Sequence, residues 1–220
     1  MKKKLLLLLL LSLTAALSLS AQTAKPGWTL YSINGGAITL SVPGTLKLYQ
    51  SKDKGFSAVK NADGSYAVKS DEEILFVPID ENRDLDKEEV GISHFVLVQI
   101  DNEEDGLAKV VKVMRNSALV RSAMGFAMKK GMTATVHSDD KEGEMKILES
   151  SKVTTAKIGG TKAITWTMSI EDGKKRQGDT RIYMMEKGGT GYVLFLMSQK
   201  GKTGFTKNDI NGVASSFRLR

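Results

Sequence analysis

Alternating apolar and polar residues predict β-structure over most of this chain. The clearest pattern lies between residues 164 and 170, where the apolar positions are Ile164, Trp166, Met168 and Ile170. Hydroxyl side chains occupy the positions between them. A period of two places the apolar side chains on one face of a strand. This segment is therefore predicted to be a half-buried strand.

Further strands are predicted on both sides of a central helical segment. Residues 28–33 and 37–42 flank a turn that contains Asn and Gly, and so do residues 56–60 and 65–69. Such turns are typical of hairpins. The other predicted strands cover residues 74–79, 92–100, 132–136, 145–149, 152–158, 180–185 and 192–197. Residues 95–98 are apolar throughout, which is typical of a strand covered on both faces.

The segment from Glu104 to Gly131 has a helical period, but its apolar residues change face along it. The first set shares one face and comprises Leu107, Val110, Val111, Met114 and Ala118. The second set lies about half a turn away, at ~100° per residue, and comprises Val120, Ala123, Met124, Ala127 and Met128. One straight helix cannot bury both faces against one sheet. A break is therefore predicted near Asn116, with Ser117 as the N-cap of a second helix.

A last helix is predicted from about Thr206 to Ala214. Thr206 is its N-cap, and Asp209 lies in the first turn, where the helix dipole favours a negative charge. The predicted fold class is therefore α+β, an antiparallel β-sheet covered by helices on both faces. Since no linker or internal repeat is found, residues 28–220 are predicted to form a single domain.

The first 21 residues have the pattern of a cleavable signal peptide. Three lysines, Lys2 to Lys4, precede an apolar run from Leu5, and small residues follow up to Ala21. The run is shorter than the roughly 20 apolar residues of a membrane-spanning helix, although an uncleaved anchor is the alternative. We expect cleavage after Ala21, a periplasmic or secreted location, and no membrane span after cleavage.

Composition and motifs exclude several function classes. The formal net charge is +7, and loss of the three signal-peptide lysines leaves +4. No aromatic residues lie among the basic pairs, so no nucleic-acid partner is predicted. The absence of cysteine excludes thiol catalysis, thiolate metal sites and disulfides. No nucleophile, zinc-protease or phosphate-loop motif is found. The chain is therefore predicted to be no enzyme and to need no cofactor, although a site assembled from distant residues is an alternative.

Acidic residues and one histidine are the candidates for a cation site. The candidate metal ligands are Asp80, Asp84, Asp86, His137 and Asp139. Solvated loops and a surface histidine are the alternatives. A further acidic run from Asp101 matches half of a calcium loop, but Lys112 stands where the bidentate carboxylate belongs. His94 is expected to be buried and neutral, with a backbone partner.

Methionines suggest a partner surface. Most of them are expected in the core, because flexible thioethers fill irregular space. Met124 and Met128, on the shifted face of the second predicted helix, are instead candidates for an exposed contact with a partner protein.

Several segments resemble the Mog1/PsbP-like superfamily. They are Gly36–Gly44 (GAITLSVPG), Gly159–Trp166, Gly191–Phe195 and the end of the last helix at Ser216–Arg218. The resemblance spans the mature chain and implies an α/β/α sandwich. It also implies a non-enzymatic binding or assembly factor, since members include a photosystem II subunit, a nuclear-transport GTPase-binding protein and bacterial envelope proteins. No catalytic residues come with it.

The leading functional interpretation combines these results. It is an exported, non-enzymatic interaction module or accessory subunit, which binds a protein of an envelope or secreted assembly. The alternative is a periplasmic small-ligand or cation-binding protein, with its site in residues 80–89 or around His137.

Overall fold

Strands make up most of the part of the chain that the structure describes. The structure is a computed structural model, and it describes residues 24–50, 55–71, 73–79, 94–102, 106–131, 133–135 and 144–220. The predicted signal peptide and the acidic segment 80–91 lie outside these residues. The helices are α1 (Leu107–Asn116), α2 (Ala118–Gly131) and α3 (Lys207–Ser216). The strands are β1 (Trp28–Ile33), β2 (Ile38–Pro43), β3 (Leu46–Leu48), β4 (Ser57–Lys60), β5 (Tyr66–Lys69), β6 (Ile74–Pro78), β7 (Phe95–Asp101), β8 (Thr133–Thr135), β9 (Glu144–Ser150), β10 (Thr154–Ile158), β11 (Thr161–Glu171), β12 (Gln177–Lys187), β13 (Thr190–Gln199) and β14 (Arg218–Leu219).

These strands form two sheets, where one was expected. Sheet A has the order β14-β2-β1-β5-β4, and sheet B has the order β3-β6-β7-β13-β12-β11-β9-β8, with β10 also paired to β11. The pairing of β1 with β5 is parallel, whereas the hairpins β1–β2 and β4–β5 are antiparallel as predicted. The α+β class, mostly antiparallel with helices, is confirmed.

The closed core lies between sheet A and one face of sheet B. Its largest fully buried side chains include Phe76, Phe205 and Phe217. Helix α3 supplies Ile210 and Val213 to the same cluster. Sheet A and α3 therefore form one layer over this face.

The opposite face of sheet B meets the other two helices in the helix-covered core. Val111 and Met114 of α1 pack there against the apolar row of β11, which runs from Ile164 to Ile170. This row is the one that the period of two predicted. The layer order is therefore sheet A with α3, then sheet B, then α1 with α2, so helices lie on both faces as expected.

Strand β7 contributes to both cores, as its sequence predicted. Val96 and Val98 are fully buried in the closed core, and Leu97 packs against the helix-covered core. Just before β7, His94 is buried, and its Nε2 lies 3.2 Å from the Gln199 carbonyl oxygen. The expected buried histidine with a backbone partner is confirmed.

The predicted break between two helices is also confirmed. Helix α1 ends at Asn116 and α2 begins at Ala118. The Val120 N–H donates to Ser117 Oγ at 3.2 Å, so Ser117 is the N-cap of α2. Arg121 donates from Nη1 to the carbonyl oxygens of Met114 and Arg115, at 2.5 and 3.1 Å. The last carbonyls of α1 are thereby paired, and the corner between the helices is fixed.

Helix α3 begins as its sequence predicted. The Thr206 N–H donates to Asp209 Oδ2 at 2.7 Å, and the two residues form a capping box. Further along, Gly212 is required by close packing, because a Cβ there would lie 2.4 Å from Trp28 Cη2. No helix in the described part of the chain is long and apolar enough to span a membrane.

Candidate functional site

The candidate site is the outer surface of α1 and α2, and α1 is the element that positions it. The Leu107 N–H donates to Asp101 Oδ2 at 2.7 Å, so the first backbone N–H of the helix has a hydrogen-bond acceptor. At the other end, Arg115 Nη2 lies 3.3 Å from Glu186 Oε2, and Lys112 Nζ lies 3.6 Å from Glu186 Oε1. Gly189 N–H also donates to Glu186. The Glu186 side chain is only 9% exposed, so this ion pair joins α1 firmly to β12.

Large apolar side chains remain exposed on the outer surface of these helices. The outer helical face is defined by Val110, Val113, Leu119 and Phe126, which are 40%, 50%, 81% and 63% exposed. Seven large apolar residues are exposed in the described part of the chain, and these four fall within α1 and α2. Single exposed apolar residues are ordinary, but their concentration on one element marks a candidate interaction surface.

Helix α2 is apolar on two sides. Val120 and Met124 pack against the helix-covered core. Leu119, Ala123 and Phe126 follow one another at i, i+4 and i+7, the spacing of a single helix face, and all three are exposed. A helix that packs only against the core of its own chain has one apolar side. The second apolar side of α2 is therefore a candidate contact surface for another molecule.

The charged residues within the two helices have one sign. Neither α1 (LAKVVKVMRN) nor α2 (ALVRSAMGFAMKKG) contains an Asp or Glu. The basic residues of the two helices are Lys109, Lys112, Arg115, Arg121, Lys129 and Lys130. Among them, Lys112 and Arg115 are paired with Glu186. The two helices thus combine exposed apolar residues with basic residues.

The structure places Met124, one of the two candidate partner-binding methionines, away from the outer helical face. Met124 is half-buried and faces the helix-covered core. The Met128 side chain lies outside the described part. Leu119 and Phe126 are the residues that the sequence reasoning passed over. Their spacing of seven, two full turns of a helix, was the signal that could have found them.

The candidate metal ligands Asp80, Asp84, Asp86, His137 and Asp139 all lie outside the described residues. Within the described ranges, no group of three or more His, Cys, Asp or Glu side chains could hold a metal ion. Asp101, in the half-matching calcium run, instead accepts a hydrogen bond from the first turn of α1.

Comparison with known proteins gives similar structures but no similar sequence. No protein-family profile matches the chain, and no curated protein matches it. A protein from Bacteroides thetaiotaomicron is 9% identical over 88% of this chain, with a TM-score of 0.46, and the chain spans about half (49%) of its length. The cyanobacterial PsbP of Synechocystis is 12% identical, with a TM-score of 0.47, over 89% of this chain and 94% of its own.

The Ran-binding protein Mog1p of Saccharomyces cerevisiae is also similar. It is 12% identical over 87% of this chain and 95% of its own, with a TM-score of 0.35. Both namesakes of the superfamily that the sequence resembles are thus among the similar structures. At these identities and TM-scores, the likeness carries no partner, ligand or activity to this chain.

Proposed function

We propose that this chain is an exported, non-enzymatic interaction module that binds a protein of an envelope or secreted assembly through the outer helical face. The observation that supports the proposal is the second apolar side of α2. Leu119 is 81% exposed and Phe126 is 63% exposed, although both belong to a helix that already has a core-facing side. Burial of such side chains in a complex contributes about 1.5–3 kcal/mol each.

The charge border specifies the partner further. The partner offers an apolar surface bordered by acidic residues, because α1 and α2 present basic residues and no carboxylate. Complementary charges at the rim of an interface steer association and exclude wrong partners more than they add affinity. Binding should therefore slow at high ionic strength while the complex persists.

The export part of the proposal rests on residues 1–21. Their basic start, apolar run and small residues before Gln22 are typical of a secretory signal. The mature chain contains no cysteine, so its folding in an oxidising compartment needs no disulfide formation.

The experiment compares partner capture by matched variants of the mature chain. Wild type, a Leu119→Ser/Phe126→Ser double variant and Val59→Ser are cross-linked mildly in the native envelope, and companions are quantified by mass spectrometry. Val59 is the control because it is 62% exposed but lies on β4 of sheet A. We expect one stoichiometric partner that binds wild type and Val59→Ser and is lost with the double variant.

Two controls make the result decisive. The single variant Leu119→Ser should change the free energy of unfolding by less than about 0.5 kcal/mol, since the side chain is exposed. Loss of partner binding in this variant therefore cannot be attributed to unfolding. Flotation with anionic lipid vesicles tests membrane binding, which is the alternative interaction for a pair of helices with apolar and basic residues. A partner retained by the double variant contradicts the proposal, and so does vesicle binding without any protein partner.

A further inference from the structure

A polar groove lies on the face of sheet B opposite to α1 and α2. It has a volume of about 620 Å³ and lies between β9, β11, β12 and the beginning of α3. The polar groove is defined by Thr167, Ser169, Asp179, Arg181 and Lys207, which line it. Its volume falls within the roughly 300–1,000 Å³ of small-molecule sites.

The alternation of the strands explains why this surface is polar. On β12, Tyr183 and Met185 belong to the closed core, and Arg181 and Asp179 continue the same face beyond it. On β11, Ala163 belongs to the closed core, and Thr167 and Ser169 continue that face. The closed core thus ends partway along both strands, and the same face of sheet B continues as an open, polar floor.

Arg181 is the candidate ligand-binding residue on this floor. Its Nη1 donates to Asn211 Oδ1 at 2.6 Å, which holds the guanidinium of this half-buried residue against α3. Among the described residues, Arg181 makes no ion pair with a carboxylate. Asp179, two residues away, instead accepts a hydrogen bond from Ser169 Oγ at 2.8 Å and lies 3.8 Å from Lys200 Nζ. Since a guanidinium carries five N–H donors, most of those on Arg181 remain available to an anion.

The neighbours of Arg181 complete an anion site. Thr167 is its direct partner across the β11–β12 pairing, so both side chains share the floor. Lys207 lies at the exposed rim of the same groove. We propose that the polar groove binds a small organic anion, whose carboxylate or phosphate group contacts Arg181 and Thr167 with Lys207 beside it.

The next row of the floor restricts the rest of the ligand. Ser169 pairs with Asp179 on one side and with Glu149 on the other. This row lies two residues, about 7 Å, along the strands from Arg181. Two carboxylates there repel a second anionic group and accept hydrogen bonds from hydroxyl or ammonium groups. The ligand therefore has one anionic end and hydrogen-bond donors at the other.

The test measures calorimetric binding and the melting temperature of the mature chain with four probes at constant ionic strength. Inorganic phosphate and glycerol 3-phosphate represent phosphates, and acetate and lactate represent carboxylates. We expect saturable binding either of the phosphates or of the carboxylates. Within that class, the compound with a hydroxyl-bearing carbon chain (glycerol 3-phosphate or lactate) should bind more tightly. Arg181→Gln should weaken it at least about tenfold, because charge-assisted hydrogen bonds are the strong ones.

Matched variants separate a site from general charge attraction. Lys202→Gln removes the same charge from an exposed loop outside the groove, and it should bind as wild type does. Thr167→Val removes one hydroxyl without a change of charge and should weaken binding several-fold, which keeps the test valid if Arg181→Gln fails to fold. The proposal is overturned if no probe binds saturably, or if Lys202→Gln weakens binding as much as Arg181→Gln does.

Discussion

The two faces of sheet B are built from the same strands but are covered in different ways. The closed face meets a second sheet and α3, and Phe76, Phe205 and Phe217 are fully buried there. The helix-covered face meets α1, whose Val111 and Met114 are buried and whose Arg115 is paired with Glu186. It also meets α2, whose Val120 and Met124 are only half-buried. The apolar part of the first face is covered within this chain, whereas the second ends in an exposed apolar surface.

Buried polar atoms without hydrogen-bond partners are a second difference between the two faces. Two buried side-chain atoms in the described part, Trp166 Nε1 and Thr180 Oγ1, have no hydrogen-bond partner. Trp166 belongs to the helix-covered core, and Thr180 alternates with the groove residues Asp179 and Arg181, so it also faces the helices. Each such atom costs free energy. We therefore expect the helix-covered side to open locally before the closed side does.

The largest effect is expected from Phe76→Ala in the closed core. The Phe76 ring is fully buried and meets the Tyr31 ring edge-on, with centroids 4.6 Å apart. Its removal should lower the free energy of unfolding by about 3–5 kcal/mol in chemical denaturation. The matched variant is Leu75→Ala, the next residue on the strand, which packs against the helix-covered core. Equal losses in the two variants would show that the faces do not differ in packing.

An intermediate effect is expected from Glu186→Ala, which breaks the attachment of α1. Lys112, Arg115 and the Gly189 N–H lose their acceptor, at a cost of about 1–3 kcal/mol. Hydrogen exchange should rise in α1 and α2 more than in sheet A.

Glu171→Ala is the control for this variant, because its partner Lys175 has an 81% exposed side chain. An ion pair with a solvated partner contributes less than one held at a largely buried carboxylate. Faster exchange spread evenly over both faces in Glu186→Ala would contradict the role given to this ion pair.

The smallest effect is expected from Ser117→Ala, which removes the N-cap of α2. Loss of the hydrogen bond from the Val120 N–H to Ser117 Oγ should cost about 1 kcal/mol. The measurement is hydrogen exchange in α2, with α1 as the internal reference. Ser122→Ala, at an exposed position within α2, is the control and should be neutral. An unchanged α2 in Ser117→Ala would mean that packing alone fixes its start.

Much of the local structure was predictable because it depends on neighbouring residues. The alternation from Ile164 to Ile170 placed β11 with the correct face inward. The change of apolar face after Met114 predicted the break at Ser117, and the Thr206/Asp209 pair predicted the start of α3. The candidate site was less predictable. The sequence indicated the right helix, α2, but the interpretation singled out Met124, which packs inward.

The amino-acid sequence by itself determined most of the strands, the helices, their caps and the absence of disulfides, since each depends on periodicity, backbone preference or composition. The tertiary structure decided that the strands divide into two sheets, because the parallel pairing of β1 with β5 joins hairpins that no local signal connects. It also decided that Leu119 and Phe126 face outward and that Arg181 meets Asn211 beside α3. These placements depend on which distant surface is available for packing, and no short stretch of sequence carries that information.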